Sequence, residues 1–187
     1  MGWLERRTSV RRYLRAAVAL SAAALTAGCF QPLYGTGPDP ARPGVRDALS
    51  AIDVEQIPGP ANTDVAHLAV EIRNDLLFNF TGGGYPNSPT HRLKVQIAGA
   101  RSVVAIDQAT ALPNIEFYAL RASYSLTELA TGKVVVTGQT STNVSYDTLG
   151  QQRFARISGM NDAERRAAKV LSDNITSRMA SYFVSGS

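Results

Sequence analysis

One cysteine, Cys29, closes an apolar run and follows two small residues, Ala27 and Gly28. No other feature limits the fold of this chain as strongly. Without a second cysteine there is no internal disulfide to staple a small core. The residues before it have the layout of an export signal. Arg6, Arg7, Arg11, Arg12 and Arg15 form a basic front. Ala16 to Ala27 forms an apolar core of about a dozen residues, inside the ~7–15 of a signal peptide and short of the ~20 that span a bilayer. A cysteine just after such a cut site is the bacterial lipoprotein pattern. Its thiol takes a diacylglyceryl group, and its freed amine is then acylated. Thr26 holds the −3 position here, and the preferred leucine, Leu25, stands one place earlier. The expectation is a signal peptide over residues 1–28 and a covalent lipid on Cys29, with no other cofactor.

Removing that segment changes the charge balance. The whole chain carries 19 basic and 15 acidic residues, a net +4. Five of the basic residues and one acid, Glu5, precede Cys29, leaving 14 of each sign after it. A mature chain near zero net charge has no bulk attraction for nucleic acid. About 159 residues remain, enough for one domain with its own core.

Residues 29–48 read as the lipidated N-terminus and an extended lead-in. Pro32, Gly35, Gly37, Pro38, Pro40, Pro43 and Gly44 disfavour helix and sheet alike. The domain is expected over 49–184, with 185–187 as a tail. Its first strand runs from Ala51 to Ile57, with Ile52 and Val54 on one face and Asp53 and Glu55 on the other. A helix follows, with Asn62, Thr63 and Asp64 as possible caps. Val65, Leu68, Ala69, Ile72, Leu76 and Phe80 form its apolar stripe, and Gly82-Gly83-Gly84 stops it. The triple glycine is not a phosphate loop, because it follows a helix and no Lys-Ser/Thr pair comes after it.

The second strand starts near His91 and alternates Leu93, Val95 and Ile97 with Arg92, Lys94 and Gln96. It continues to Ile106, with a bulge expected at Gly99. Asp107 to Asn114 is a hairpin loop. The third strand, from about Ile115 to Leu129, places Tyr118, Leu120, Ala122, Tyr124 and Leu126 on one face. After the turn at Ala130 to Lys133, the fourth strand sets Val134, Val136, Val144 and Tyr146 against a row of Thr, Gln, Ser and Asn. The last helix is expected from Asn161, with Glu164 completing a capping-box variant, or from near Gln152 with a break around Gly159. Ala163, Ala167, Leu171, Ile175, Met179, Tyr182 and Phe183 form its stripe.

The order is therefore β-α-β-β-β-α. Strands with one apolar face and two amphipathic helices specify an α+β two-layer sandwich. A four-stranded, mostly antiparallel sheet carries both helices on one face. The other face is left polar and uncovered, which points to a partner.

Enzyme chemistry finds little support. His67 lies on a helix and His91 at a strand start, and the one cysteine is committed to lipid. There is no Gly-x-Ser-x-Gly, no His-Glu-x-x-His and no metal-spaced cluster. Asp53 and Glu55 make a same-face carboxylate pair of the kind common on solvated strands.

The start Cys29-Phe30-Gln31-Pro32-Leu33-Tyr34-Gly35 resembles the mature N-terminus of alphaproteobacterial LptE, the lipopolysaccharide-assembly lipoprotein family. So does the ending, where Phe154-Ala155-Arg156 precedes Asp162-Ala163-Glu164-Arg165-Arg166-Ala167-Ala168 and a helix. The element order is similar as well. The resemblance implies a non-enzymatic outer-membrane lipoprotein, anchored on the periplasmic side. It would plug the lumen of an LptD-type β-barrel, help it assemble, and bind lipopolysaccharide. In that family, basic residues near the hairpin of strands 2 and 3 and just after strand 4 are implicated in lipopolysaccharide contact. The corresponding residues here are Arg153 and Arg156 after strand 4, with Arg156 in the better position. The hairpin Asp107 to Asn114 holds no basic residue, so Arg101 is the nearest upstream substitute, and Lys133 marks the opposite sheet end. The alternative reading is a generic lipid-anchored periplasmic module.

Overall fold

A computed structural model describes residues 44–59, 63–84, 86, 88–106, 113–147 and 153–185. The signal segment, Cys29, the lead-in up to residue 43 and the hairpin tip at 107–112 lie outside the described residues. The elements are α1 (Val45–Ser50), β1 (Ile52–Val54), α2 (Asp64–Thr81), β2 (His91–Ile106), β3 (Pro113–Glu128), β4 (Val134–Asp147) and α3 (Arg153–Ser185).

The sheet order is β1-β2-β3-β4. β1 and β2 are parallel and joined through α2, and the other pairs are antiparallel. This is the expected two-layer architecture. Leu93 and Val95 of β2, Tyr118 to Leu126 at alternate positions of β3, and Val136, Val144 and Tyr146 of β4 are buried on one face. Leu68, Ile72, Leu76 and Phe80 of α2 and Ala163 to Met179 of α3 close the core against them.

α3 buries two adjacent stripes. Ala163, Ala167, Leu171, Ile175 and Met179 form one, and Glu164, Ala168, Ser172, Thr176 and Ala180 the other. Beyond Glu164 the second is built of small residues because α2 packs there: Asn79 Nδ2 donates to Thr176 Oγ1 at 3.2 Å. Ser172 and Thr176 return their own hydroxyl protons to the carbonyls of Ala168 and Ser172, so neither is buried unsatisfied.

Several local expectations are corrected. The lead-in ends in a helix, because Pro43-Gly44 stands just before a helix start, where such residues are tolerated. Leu49 of this α1 is buried in the core. The paired part of β1 stops at Val54, with one further bond from Glu55 N to Leu93 O at 3.0 Å. Gly99 is no bulge: its pairing with Leu120 is regular, and the irregularities fall between Val103 and Ile106. A glycine is needed there because a Cβ would overlap the Tyr118 hydroxyl. A register shift between Leu126 and Thr127 turns Val134 away from its expected row, leaving it 56% exposed. α3 runs unbroken through Gly159, so neither the start at Asn161 nor a break is found. One glycine costs a helix only ~1 kcal/mol, which the packing of a long helix outweighs. At the end of α2, Gly82 adopts φ 76°, and Gly82 N and Gly83 N bond to the carbonyls of Phe78 and Leu77, a glycine-dependent cap.

Candidate functional site

The distal end of the sheet, away from α1, gathers charges on the face that elsewhere is apolar. Arg101 lies in β2 directly opposite Tyr118, and Glu116 in β3 directly opposite Tyr146. All four belong to the inward row of their strands, because side chains alternate with a period of two. α3 passes over them and adds Glu164 and Arg156.

Glu164 is buried, 1% exposed. Its Oε1 takes Arg101 Nη2 at 3.5 Å, and its Oε2 lies 3.4 Å from His67 Nε2 of α2. The capping box is thereby corrected: in mid-helix there is no free backbone N–H to cap, and Glu164 serves two other elements. The Tyr118 hydroxyl and Glu164 Oε2 are buried without a hydrogen-bond partner among the described residues. Burial pushes the Tyr118 hydroxyl up to about 12. The Glu164 charge adds to this and Arg101 opposes it.

The second half of the cluster mirrors the first. Tyr146 donates its hydroxyl proton to Glu116 Oε2 at 2.5 Å, and Arg156 Nη2 sits 3.5 Å from Glu116 Oε1. Tyr146 is pushed up to about 12 by burial, then by its bond to Glu116 and that carboxylate's charge. The Arg101 and Arg156 charges oppose this rise. Each arginine is anchored by a buried carboxylate and keeps an exposed part, 38% for Arg101 and 57% for Arg156. The exposed edge of a guanidinium can meet an anion from solvent.

The structure thus brings together Arg101 and Arg156 of the residues expected from sequence. Arg153 opens α3, one turn before Arg156. Lys133 is at the other end of the sheet, in the β3–β4 turn, where its N–H donates to Thr131 Oγ1 at 3.3 Å. The sequence reading missed the anchors Glu116 and Glu164. Their signal was a carboxylate at an inward strand position and another beside the apolar helix stripe.

Outside this cluster, a shallow cleft of about 580 Å³ lies across the sheet, lined by Gln96, Arg121, Ser123, Gln139 and Ser141 on the outer face. No group of three or more potential metal ligands occurs among the described residues. No described helix is long and apolar enough to cross a membrane.

With this geometry in hand, the fold is one that bacterial lipoproteins use. A candidate lipoprotein from Caulobacter crescentus CB15 superposes with a TM-score of 0.60 at 19% identity, covering 77% of this chain and 98% of that one. Rare lipoprotein B from Shewanella oneidensis gives 0.51 at 14% identity, over 72% of this chain and 95% of its own. Lipoprotein B from Nitrosomonas europaea gives 0.52 at 12% identity, over 73% and 88%. No protein-family model matches the sequence, and no curated protein matches it.

Proposed function

We propose that this chain is an LptE-type lipoprotein. It is held at the periplasmic side of the outer membrane by lipid on Cys29, lodges in an LptD-type β-barrel, and binds lipopolysaccharide without chemical turnover. The observation that carries the binding role is the pairing of Arg101 and Arg156 at one end of the sheet. Each is aimed by a buried carboxylate and each is still open to solvent. Phosphates and acidic sugars are the anions that such fixed guanidinium forks recognise. The lipoprotein fold and the lipoprotein-like segment around Cys29 support the anchor. A near-neutral domain with one polar sheet face suits a polar barrel lumen.

The test is purification of the tagged protein in mild detergent from its own outer membranes, followed by mass spectrometry. A stoichiometric large β-barrel and co-purifying lipopolysaccharide are expected. Arg156→Gln should lower the lipopolysaccharide while the barrel remains. A lipidated protein that comes alone, although the barrel is expressed, would leave only a tethered envelope module.

A further inference from the structure

We propose that two copies of this chain associate through the free edge of β4. The strand pairs antiparallel with itself, so that Lys133 of each copy meets Asp147 of the other. This goes beyond the barrel reading and concerns the chain apart from any barrel.

The sheet order leaves β1 and β4 as edge strands. An edge offers unpaired backbone donors and acceptors, and proteins blunt it by shortness, charge, proline or a bulge. β1 is only three residues long, and Asp53 and Glu55 bind Arg92 and Lys94 at 3.3 and 3.6 Å. β4 runs for 14 residues. From Val134 to Tyr146 it holds neither a charge nor a proline. Its register shift lies at the Val134 end, and its pairing with β3 is regular from Val136 to Asp147.

One contact fixes which backbone groups face that edge. Arg166 Nη2 donates to Ser145 O at 3.4 Å. A strand carbonyl lies in the sheet plane, so one met by a helix side chain points away from β3. Alternate residues of an antiparallel ladder share that direction. Thr137, Gln139, Ser141 and Asn143 therefore offer their N–H and C=O groups to the edge. Arg166 is also held by Asp162 at 2.8 Å, so releasing Ser145 leaves it paired.

The strand is complementary to itself about Thr140. Turned antiparallel on a second copy, it sets Gln139 against Ser141 and Thr137 against Asn143, all from the edge-facing set. Val136 then meets Val144, and Thr140 meets Thr140, all on the inward row, so the two cores join along one face. The same register sets Lys133 against Asp147 at both ends. Both residues are exposed, and neither side chain has an ion-pair partner among the described residues. A slip of two residues keeps the ladder but separates both charge pairs. A parallel pairing sets Lys133 beside Lys133. A two-fold interface requires one surface complementary to itself, which a strand serving some other chain does not need. Above the axis, α3 turns Asn174 and Val170 towards the edge, and neither is charged. Asn174 Nδ2 donates to Thr140 Oγ1 at 3.2 Å, and Val170 stands one turn before it, 41% exposed.

The experiment uses the full-length lipidated protein, purified in mild detergent, and reads self-association by sedimentation velocity and by disulfide trapping. Thr140→Cys should link into a dimer on mild oxidation. Opposed residues of a non-hydrogen-bonded pair have Cα atoms ~4.5 Å apart, inside the ~4.4–6.8 Å that a disulfide spans. Ser123→Cys, in the middle of the outer face, should not link. Lys133→Asp or Asp147→Lys alone sets like charges together and should weaken self-association by about tenfold. The double exchange restores opposite charges and should return most of it. Equal melting of the single variants and the wild type separates association from folding. A monomer at every concentration, dimers trapped by Ser123→Cys in place of Thr140→Cys, or an association unchanged by either single exchange would overturn the proposal. The barrel reading rests on what co-purifies from outer membranes, so its failure is read separately.

Discussion

Arg101 of β2 and Glu164 of α3 meet with Nη2 and Oε1 3.5 Å apart, although 63 positions separate them in the chain. The carboxylate is buried and the guanidinium is not, so losing the arginine strands a charge in the core. Arg101→Ala should destabilise the domain by slightly less than the ~3–5 kcal/mol of a fully buried pair, since His67 still faces Glu164. Adding Glu164→Gln should recover part of the loss. Urea denaturation of the single and double variants measures the coupling, and equal losses in both would show that the pair carries none.

Alkaline pH should weaken the same end of the molecule. Tyr118 and Tyr146 are held up at about 12 against an ordinary 10.0, so the folded state keeps protons that the unfolded chain releases. Their contribution is complete below pH 10 and is lost as pH rises towards 12. Denaturation midpoints across that range should fall for the wild type and fall less for Tyr146→Phe.

His91 behaves in the opposite sense. Its imidazole packs edge-on to Phe183, with ring centroids 5.2 Å apart. Burial lowers its pKa below 6.5, and the Glu128 charge only partly offsets this. The neutral form is favoured in the fold, so stability is present above pH 6.5 and declines as pH falls through the folded value. His91→Leu should flatten that slope in urea midpoints taken between about pH 7.5 and pH 5.

Gly138 leaves room for a ring. It pairs directly with Tyr124, and a Cβ on it would come 2.6 Å from Tyr124 Cζ. Gly138→Ala should cost roughly 1–3 kcal/mol through overpacking. Combining it with Tyr124→Val should give a non-additive result in a double-mutant cycle, whereas simple addition would place the strain elsewhere.

Gly159 is the reverse case. It lies inside α3, and a Cβ there would make ordinary contacts, the nearest with Asp147 O at 3.5 Å. Gly159→Ala should stabilise the domain by roughly 0.5–1 kcal/mol, read as a higher melting temperature.

The layer architecture was legible from local pattern. Period-two strands and three-to-four-residue helix stripes gave the order of the four strands and the two long helices, though not α1, together with the apolar row of β3 and the glycine stop of α2. Gly99 and Gly159 misled because a glycine reports that space is tight or freedom is tolerated, and only the neighbours say which. For Gly99 the neighbour is a tyrosine from the next strand; for Gly159 it is a helix long enough to absorb the cost.

Val134 was misplaced because a register shift between two strands is a property of the pair, invisible along either strand alone. Glu164 was misread because its spacing from Asn161 fits a cap, and a cap is decided by where a helix begins. By itself the sequence determined the covalent and periodic facts: one cysteine, a balanced charge after it, and which face of each element is greasy. Tertiary structure alone decided that Arg101 and Arg156 share one end, that Glu164 and Glu116 hold them, and that Arg121 stands exposed in the middle of the outer sheet face. Those relations depend on strand register and helix placement, which are set by packing the apolar faces together. Charges then meet wherever that packing carries them.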